Sequence, residues 1–327
     1  MLLQGPQVWL PLHRPDLGFL NTLSDVFASM ERRHPGIFPY LRKADRLFVA
    51  SDYGGEHATA AYQTISFLVA DIADCGAWQV AREAVRSQFL SDGRRMAFKS
   101  LNDRVRRKAL GPFLETVNRL PGLLATFVMA RSVESFFADT GRIDPADLEL
   151  EGLRDLSPAV AEKLLRIVHL LSVLIAGLSA PGQDLLWATD EDAIAANAVR
   201  VQHLVEAFAR VSSYCLPHDL RHFRLATPKQ DKGDLSLEDL IAIPDLAAGG
   251  LSTAFQAMLG DRGAPLAGFY LPRTSAVIRK ARDVLDWISD NTQPLRRVVV
   301  MIDEEPTSHK IRATSFRFQG SQDSAFE

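Results

Sequence analysis

Three aspartates far apart in the chain stand where carboxylates can do chemistry. Asp52 closes the apolar run RLFVAS and opens the turn DYGGEH, Asp190 closes DLLWAT, and Asp245 follows Pro244 in IAIPDLAAGG. Carboxylate oxygens are the ligands that hard divalent cations such as Mg2+ or Mn2+ take. Carboxylates at the ends of neighbouring strands, about 4.8 Å apart, repel one another unless a cation lies between them. A pair of ions roughly 3.5 to 4 Å apart fits such an edge and hydrolyses phosphodiesters by activating water and stabilising the leaving oxygen. The expectation is that Asp52 bridges both ions while Asp190 and Asp245 each complete one shell. A plainer reading stays open for each residue: Asp52 as a turn aspartate bonding its own backbone, Asp190 and Asp245 as favourable charges at helix N-termini.

Positive charge is densest in GRRMAFKSLNDRVRRK, residues 93–108. Arg94, Arg95 and Lys99 are the expected phosphate contacts, Lys99 also as a catalytic residue neutralising the scissile group; the rest of the run reads as a solvated helix face. Arg273, Arg279, Lys280 and Arg282 are explained by helix solubility. His57 lacks a second histidine at ligand spacing, and His218 and His222 flank a strand-like segment, so none is given a role. No nucleophile elbow surrounds Ser51 or Ser66, and Gly54-Gly55 lacks the lysine of a phosphate-binding loop.

Apolar patterning supplies the elements that must position these groups. Strands are expected over 46–51, 62–70, 123–130, 184–190 and 221–227, and helices over 20–32, 78–90, 102–120, 158–178, 193–211 and 244–259, the last opened by Pro244 at its first position. A tail helix over 275–290 and strands over 298–302 and 311–318 complete the chain. The first three strands suit an antiparallel meander; the fourth and fifth each follow a helical crossover and so tend to run parallel. If the fourth lies beside the first, Asp52 and Asp190 share a carboxyl edge, where open α/β sheets bind ligands.

Composition narrows the classes. The 327 residues are 47% hydrophobic and 24% charged with net charge -3, a globular balance without a global field for nucleic acid or anionic lipid. Two cysteines without ligand-like spacing speak against a disulfide scaffold or zinc ribbon and make the cytoplasm the expected compartment. MLLQGPQVWLPLHRP has no signal-peptide pattern, and the most apolar stretch, 14 residues over 167–180, is shorter than the roughly 20 a span needs. No membrane association is expected.

In three places the chain resembles the ribonuclease H-like superfamily and, within it, the bacterial family DUF3800. ASDYGGEH stands where that family has a strand ending in an Asp-Glu-Ser-Gly turn, FKSLND where it has a Lys-Ser-Leu segment opening a helix, and IPDLAAGG where it has an Ala-Asp-Leu-Val-Ala-Gly-like helix. The resemblance covers about residues 45–260 and implies that Asp52, Asp190 and Asp245 bind metal. The chain departs from the family pattern at Ala97, where an acidic residue is frequent, and at Tyr53, where glutamate is usual; Glu56, Glu191 and Asp192 are the candidates for the missing ligand, Glu56 foremost. The expected architecture is an α/β, ribonuclease H-like mixed five-stranded sheet flanked by helices. It comprises an N-terminal arm (1–45), a core (46–260) with a helical insertion (71–122), and a C-terminal helix and hairpin (261–327). The function implied is a Mg2+- or Mn2+-dependent nuclease on RNA or DNA. The alternative is a catalytically inactive ribonuclease H-like binding or assembly subunit of a bacterial complex, with a defence complex as one setting and a protein partner or a second copy left open.

Overall fold

A computed structural model describes residues 7–57, 59–136, 151–231, 233–259, 277–290, 293–305, 307–308 and 310–316. Five strands lie where patterning puts them: β1 Arg46–Gly54, β2 Tyr62–Asp71, β3 Gly122–Ala130, β4 Asp184–Thr189 and β5 His222–Ala226. Two more, β6 Arg296–Glu304 and β7 Ile311–Phe316, enlarge the expected five-stranded sheet to seven, in the order β5-β4-β1-β2-β3-β6-β7. The tail hairpin, expected to pack on the core, joins the sheet itself: β6 runs parallel to β3, pairing Val298 with Ala125, and contributes apolar residues to the cores on both faces. β1, β2 and β3 form the antiparallel meander, and β4 runs parallel to both β1 and β5.

Helices cover both faces. On one lie α1 Phe19–Arg33, α4 Pro158–Leu178 and α5 Ala198–Cys215; on the other lie α2 Gly76–Phe89, α3 Arg104–Val117, α6 Ser236–Leu259 and α7 Arg279–Ser289. Strand side chains alternate between these layers, since successive residues point to opposite faces: Leu47 and Val49 join the first core, Phe48 and Ala50 the second. The described part of the N-terminal arm belongs to the first core. Trp9 is fully buried with its ring against Gly177, where a Cβ would come within 2.5 Å, and the buried Glu31 carboxylate accepts from the Val8 and Trp9 amides at 2.6 and 2.9 Å.

Two helix starts differ from expectation. α5 begins at Ala198, not 193, because Asn197 caps it through Arg200 N–H at 3.0 Å. Pro244 lies inside α6 instead of opening it. It removes one N–H from the helix, but the helix continues because Ile241, Ile243, Leu246 and Ala247 are buried on either side. Its N-terminus is fixed by Asp231, whose carboxylate accepts from Leu235 and Leu237 N–H at 3.0 and 2.9 Å. Asp239 in the first turn pairs with Arg82 at 2.7 Å and Arg86 of α2, and at 1% exposure it is sealed between them. Among the described residues no helix is long and apolar enough to cross a membrane. The expectations at Arg273, at 275–276 and at 317–318 lie outside the described residues.

Candidate metal centre

The last parallel pair between β1 and β4 is Ser51 with Thr189, so Asp52 and Asp190 are the next residue on each strand. Ala50 and Ala188 both belong to the core under α6, and by alternation Asp52 and Asp190 project toward that same layer. Helix α6, which carries Asp245, approaches the end of β1 closely at Gly54. A Cβ on Gly54 would lie 2.5 Å from Thr64 Oγ1 and 3.0 Å from the Ala248 carbonyl, and Thr64 Oγ1 donates to that carbonyl at 2.9 Å. On the other side of α6, Phe98 fits over Gly249, where a Cβ would meet its ring at 2.4 Å. Its backbone N–H then donates to Asp245 Oδ2 at 2.6 Å.

Asp52 and Asp245 are each partly exposed, so neither is sealed in the core. Burial holds the Asp52 carboxyl well above the usual carboxylate range; the negative charges of Asp245, Asp190 and Asp192 add to the shift, and the Tyr53 N–H, at 2.6 Å, opposes it. Burial also pushes Asp245 up to about 6, with Asp190 adding and the Phe98 N–H, Lys99 and Lys280 opposing. Asp190 is exposed at the rim, its Oδ1 accepting from Glu191 N–H at 2.8 Å. Each of the three aspartates therefore has one oxygen on a backbone amide, and its second oxygen makes no hydrogen bond among the described residues.

Among the described residues no group of three or more His, Cys, Asp or Glu side chains is arranged to hold a metal ion as it stands. Asp52 and Asp245 form the electrostatically joined pair, with Asp190 acting on both from the rim. Partly exposed hard oxygen donors fit Mg2+ or Mn2+, because such an ion keeps several waters and takes one or two carboxylates together with substrate phosphate.

The other expected site residues are placed as follows. Lys99, exposed, and Lys280, partly exposed, both stand near enough to Asp245 to lower its carboxyl; the sequence reading explained Lys280 by helix solubility. Lys280 Nζ donates to the Phe98 carbonyl at 3.3 Å and sits 4.6 Å from the centre of its ring. Only the meeting of α7 with the FKS segment reveals it. Arg94 is paired with Asp92 and, at 2.8 Å, with Asp103, while Arg95 pairs with Glu238 at 2.7 Å, so both guanidinium groups already have intramolecular partners. Glu56 is not brought to Asp52: its carboxylate pairs with Lys163 of α4, in the opposite layer. Glu191 pairs with Lys229 at 2.7 Å and Asp192 with Lys163. His57 contacts Thr59, while His218 and His222 bond Ser179 and Asp184 respectively and share no site. Asp190 is not a helix cap, since Asn197 fills that position on α5, and Asp245 lies well inside α6.

A scan against protein-family models gives no match to this chain, and neither does a comparison with curated proteins. Fold and site together define an α/β protein with a mixed seven-stranded sheet between two helical layers. Its carboxylate pair stands at the C-terminal edge of the parallel strands.

Proposed function

We propose that this chain is a divalent-metal-dependent nuclease of ribonuclease H-like type, hydrolysing phosphodiesters of RNA or DNA, with the cytoplasm as its compartment. The observation that carries the reading is the pairing of Asp52 and Asp245. Two partly exposed carboxylates, 193 positions apart in the chain, act on one another, with a third negative charge, Asp190, acting on both. Such crowding costs stability unless a cation offsets it. Asp52 and Asp245 would hold Mg2+ or Mn2+ through their unbonded oxygens, with Asp190 closing the rim. When bound, the ion supplies acidified water and neutralises phosphate charge. The Phe98 and Tyr53 amides orient the two carboxylates, and Lys99 and Lys280, both close to Asp245, present positive charge to the substrate's phosphate.

A second reading, a catalytically inactive binding or assembly subunit, has its own support: Glu56, the foremost candidate for an additional ligand, is held by Lys163, and Ala97 brings no carboxylate. One experiment separates the two. Labelled single-stranded, duplex and hybrid nucleic acids are incubated with the protein and Mg2+ or Mn2+, alongside Asp52→Asn. The nuclease reading expects cleavage that needs the metal and is lost in the variant; no cleavage of any substrate, or equal cleavage by both proteins, leaves the binding subunit.

A further inference from the structure

Asp52 and Asp190 are flanked on their strands by residues fastened on the opposite face of the sheet. Tyr53 Oη lies 2.9 Å from Ser51 Oγ and 3.1 Å from Thr189 Oγ1, so one phenol ties the residues on either side of Asp52 to the residue before Asp190. Trp187 Nε1 donates to the same Ser51 Oγ at 2.9 Å. Above the phenol, Lys163 Nζ stands 4.5 Å from the Tyr53 ring centre. Its ammonium pairs with Glu56, in the loop after β1, and with Asp192, in the loop after β4. Asp192 in turn accepts from Ile194 N–H at 3.0 Å and so shapes its own loop. Lys163 is the only described cation within ion-pair distance of both loops, and its side chain is 17% exposed. The contact with Asp192, 20% exposed, is screened less by salt than the one with Glu56, 48% exposed.

We propose that Lys163, seated on Tyr53, is a positioning residue that clamps the Asp190–Asp192 loop against the end of β1 and so sets where Asp190 stands relative to Asp52. It touches neither substrate nor metal. Resting on the reading of that edge as a metal site, the inference gives Glu56 a different task from ligation: it is one jaw of the clamp. Partners that orient metal-binding side chains typically matter about tenfold or more in metal affinity.

The test uses the full chain as wild type, Lys163→Met, Lys163→Arg, Tyr53→Phe and Glu56→Gln. Mn2+ binding is measured by titration calorimetry, and amide exchange by mass spectrometry over 51–57 and 189–195. Expected for Lys163→Met is Mn2+ affinity lowered on the order of tenfold, with faster exchange confined to those two segments; Lys163→Arg restores both. Glu56→Gln, at an exposed carboxylate, and Tyr53→Phe, which keeps the ring, give smaller losses in the same direction and serve if the methionine variant does not fold. Unchanged Mn2+ affinity in the lysine and glutamine variants, or exchange that quickens evenly along the chain, overturns the clamp. Wild-type protein that binds no Mn2+ overturns the proposed function instead, and the exchange rates of the two segments still decide the clamp.

Discussion

The backbone N–H of Phe98 donates to the carboxylate of Asp245 at 2.6 Å, joining the segment before α3 to the middle of α6. This bond places Lys99, the next residue, beside a carboxylate that burial and Asp190 push up to about 6. The site is therefore built against its own stability, and several measurable consequences come from that tension.

Asp245→Asn should stabilise the metal-free protein at alkaline pH. A carboxyl whose folded value is raised from 3.8 to about 6 contributes stability that is lost as pH rises through that window. The shift corresponds to roughly 3 kcal/mol at most, and to about 1–2 kcal/mol after allowing for the solvent that reaches the partly exposed carboxylate. Denaturant unfolding should show the variant more stable than wild type at about pH 8 and equal to it near pH 4. Mg2+ should raise the melting temperature of wild type only. An Asn variant that is less stable at both pH values contradicts this account.

His169 should impose the opposite pH dependence. It is buried in α4 with Nδ1 2.7 Å from the Leu165 carbonyl, and burial lowers it from 6.5 to about 4. A depressed histidine favours the folded state fully above its unfolded value, and that stability is lost as pH falls from 6.5 toward 4. The loss amounts to roughly 3 kcal/mol. Because Asp245 gains on acidification over nearly the same range, wild type should show a flattened profile. His169→Leu should unmask rising stability on acidification in that range; a variant profile that parallels wild type rules the assignment out.

Asp239→Ala should be among the most damaging single changes. It leaves Arg82, 2% exposed, without its carboxylate at the α2–α6 contact, and an uncompensated buried charge costs about 3–5 kcal/mol. Chemical denaturation gives the number directly; a loss under about 1 kcal/mol would show that water reaches the pair.

Gly54→Ala should loosen the site through packing alone. The added methyl would overlap Thr64 Oγ1 at 2.5 Å and press on the Ala248 backbone at 3.0 Å, and a helix backbone cannot step aside cheaply. Overpacking of this kind costs about 1–3 kcal/mol, and Mn2+ affinity should fall with it as α6 carries Asp245 away from Asp52. Equal stability and affinity in the variant would mean that α6 is not held by this contact.

Phosphate recognition should rest on Lys99 and Lys280 more than on the arginines. Lys99→Ala should lower the slope of log affinity against log salt by about one, whereas Arg94→Ala should move it less, since Arg94 already pairs with Asp92 and Asp103. Fluorescence anisotropy with a labelled oligonucleotide across a salt series measures both slopes, and the reverse ranking would return the phosphate contact to the arginines.

By itself the sequence determined the local elements. β1, β2, β3 and β4 begin and end within a few residues of their apolar runs because alternation and turn residues act between neighbours in the chain. The parallel direction of β4 was also legible, since it follows a helical crossover; that β4 lies beside β1, and with it the shared edge of Asp52 and Asp190, stood only as a condition that the tertiary structure met. Proline misled at Pro244 because its preference for a first turn is local, while the burial of Ile243 and Leu246 that carries α6 through it is tertiary. A cue to the true start stood in plain view: Asp231 and Asp234 ahead of SLED supply acceptors for a helix N-terminus. What only the tertiary structure decided is the company each charge keeps. Arg95 meets Glu238, Glu56 meets Lys163, and Lys280 reaches Phe98 across long stretches of chain. Ion pairs depend on distance in space and not in sequence, so no spacing rule distinguishes a lysine that serves solubility from one that stands beside the carboxylates.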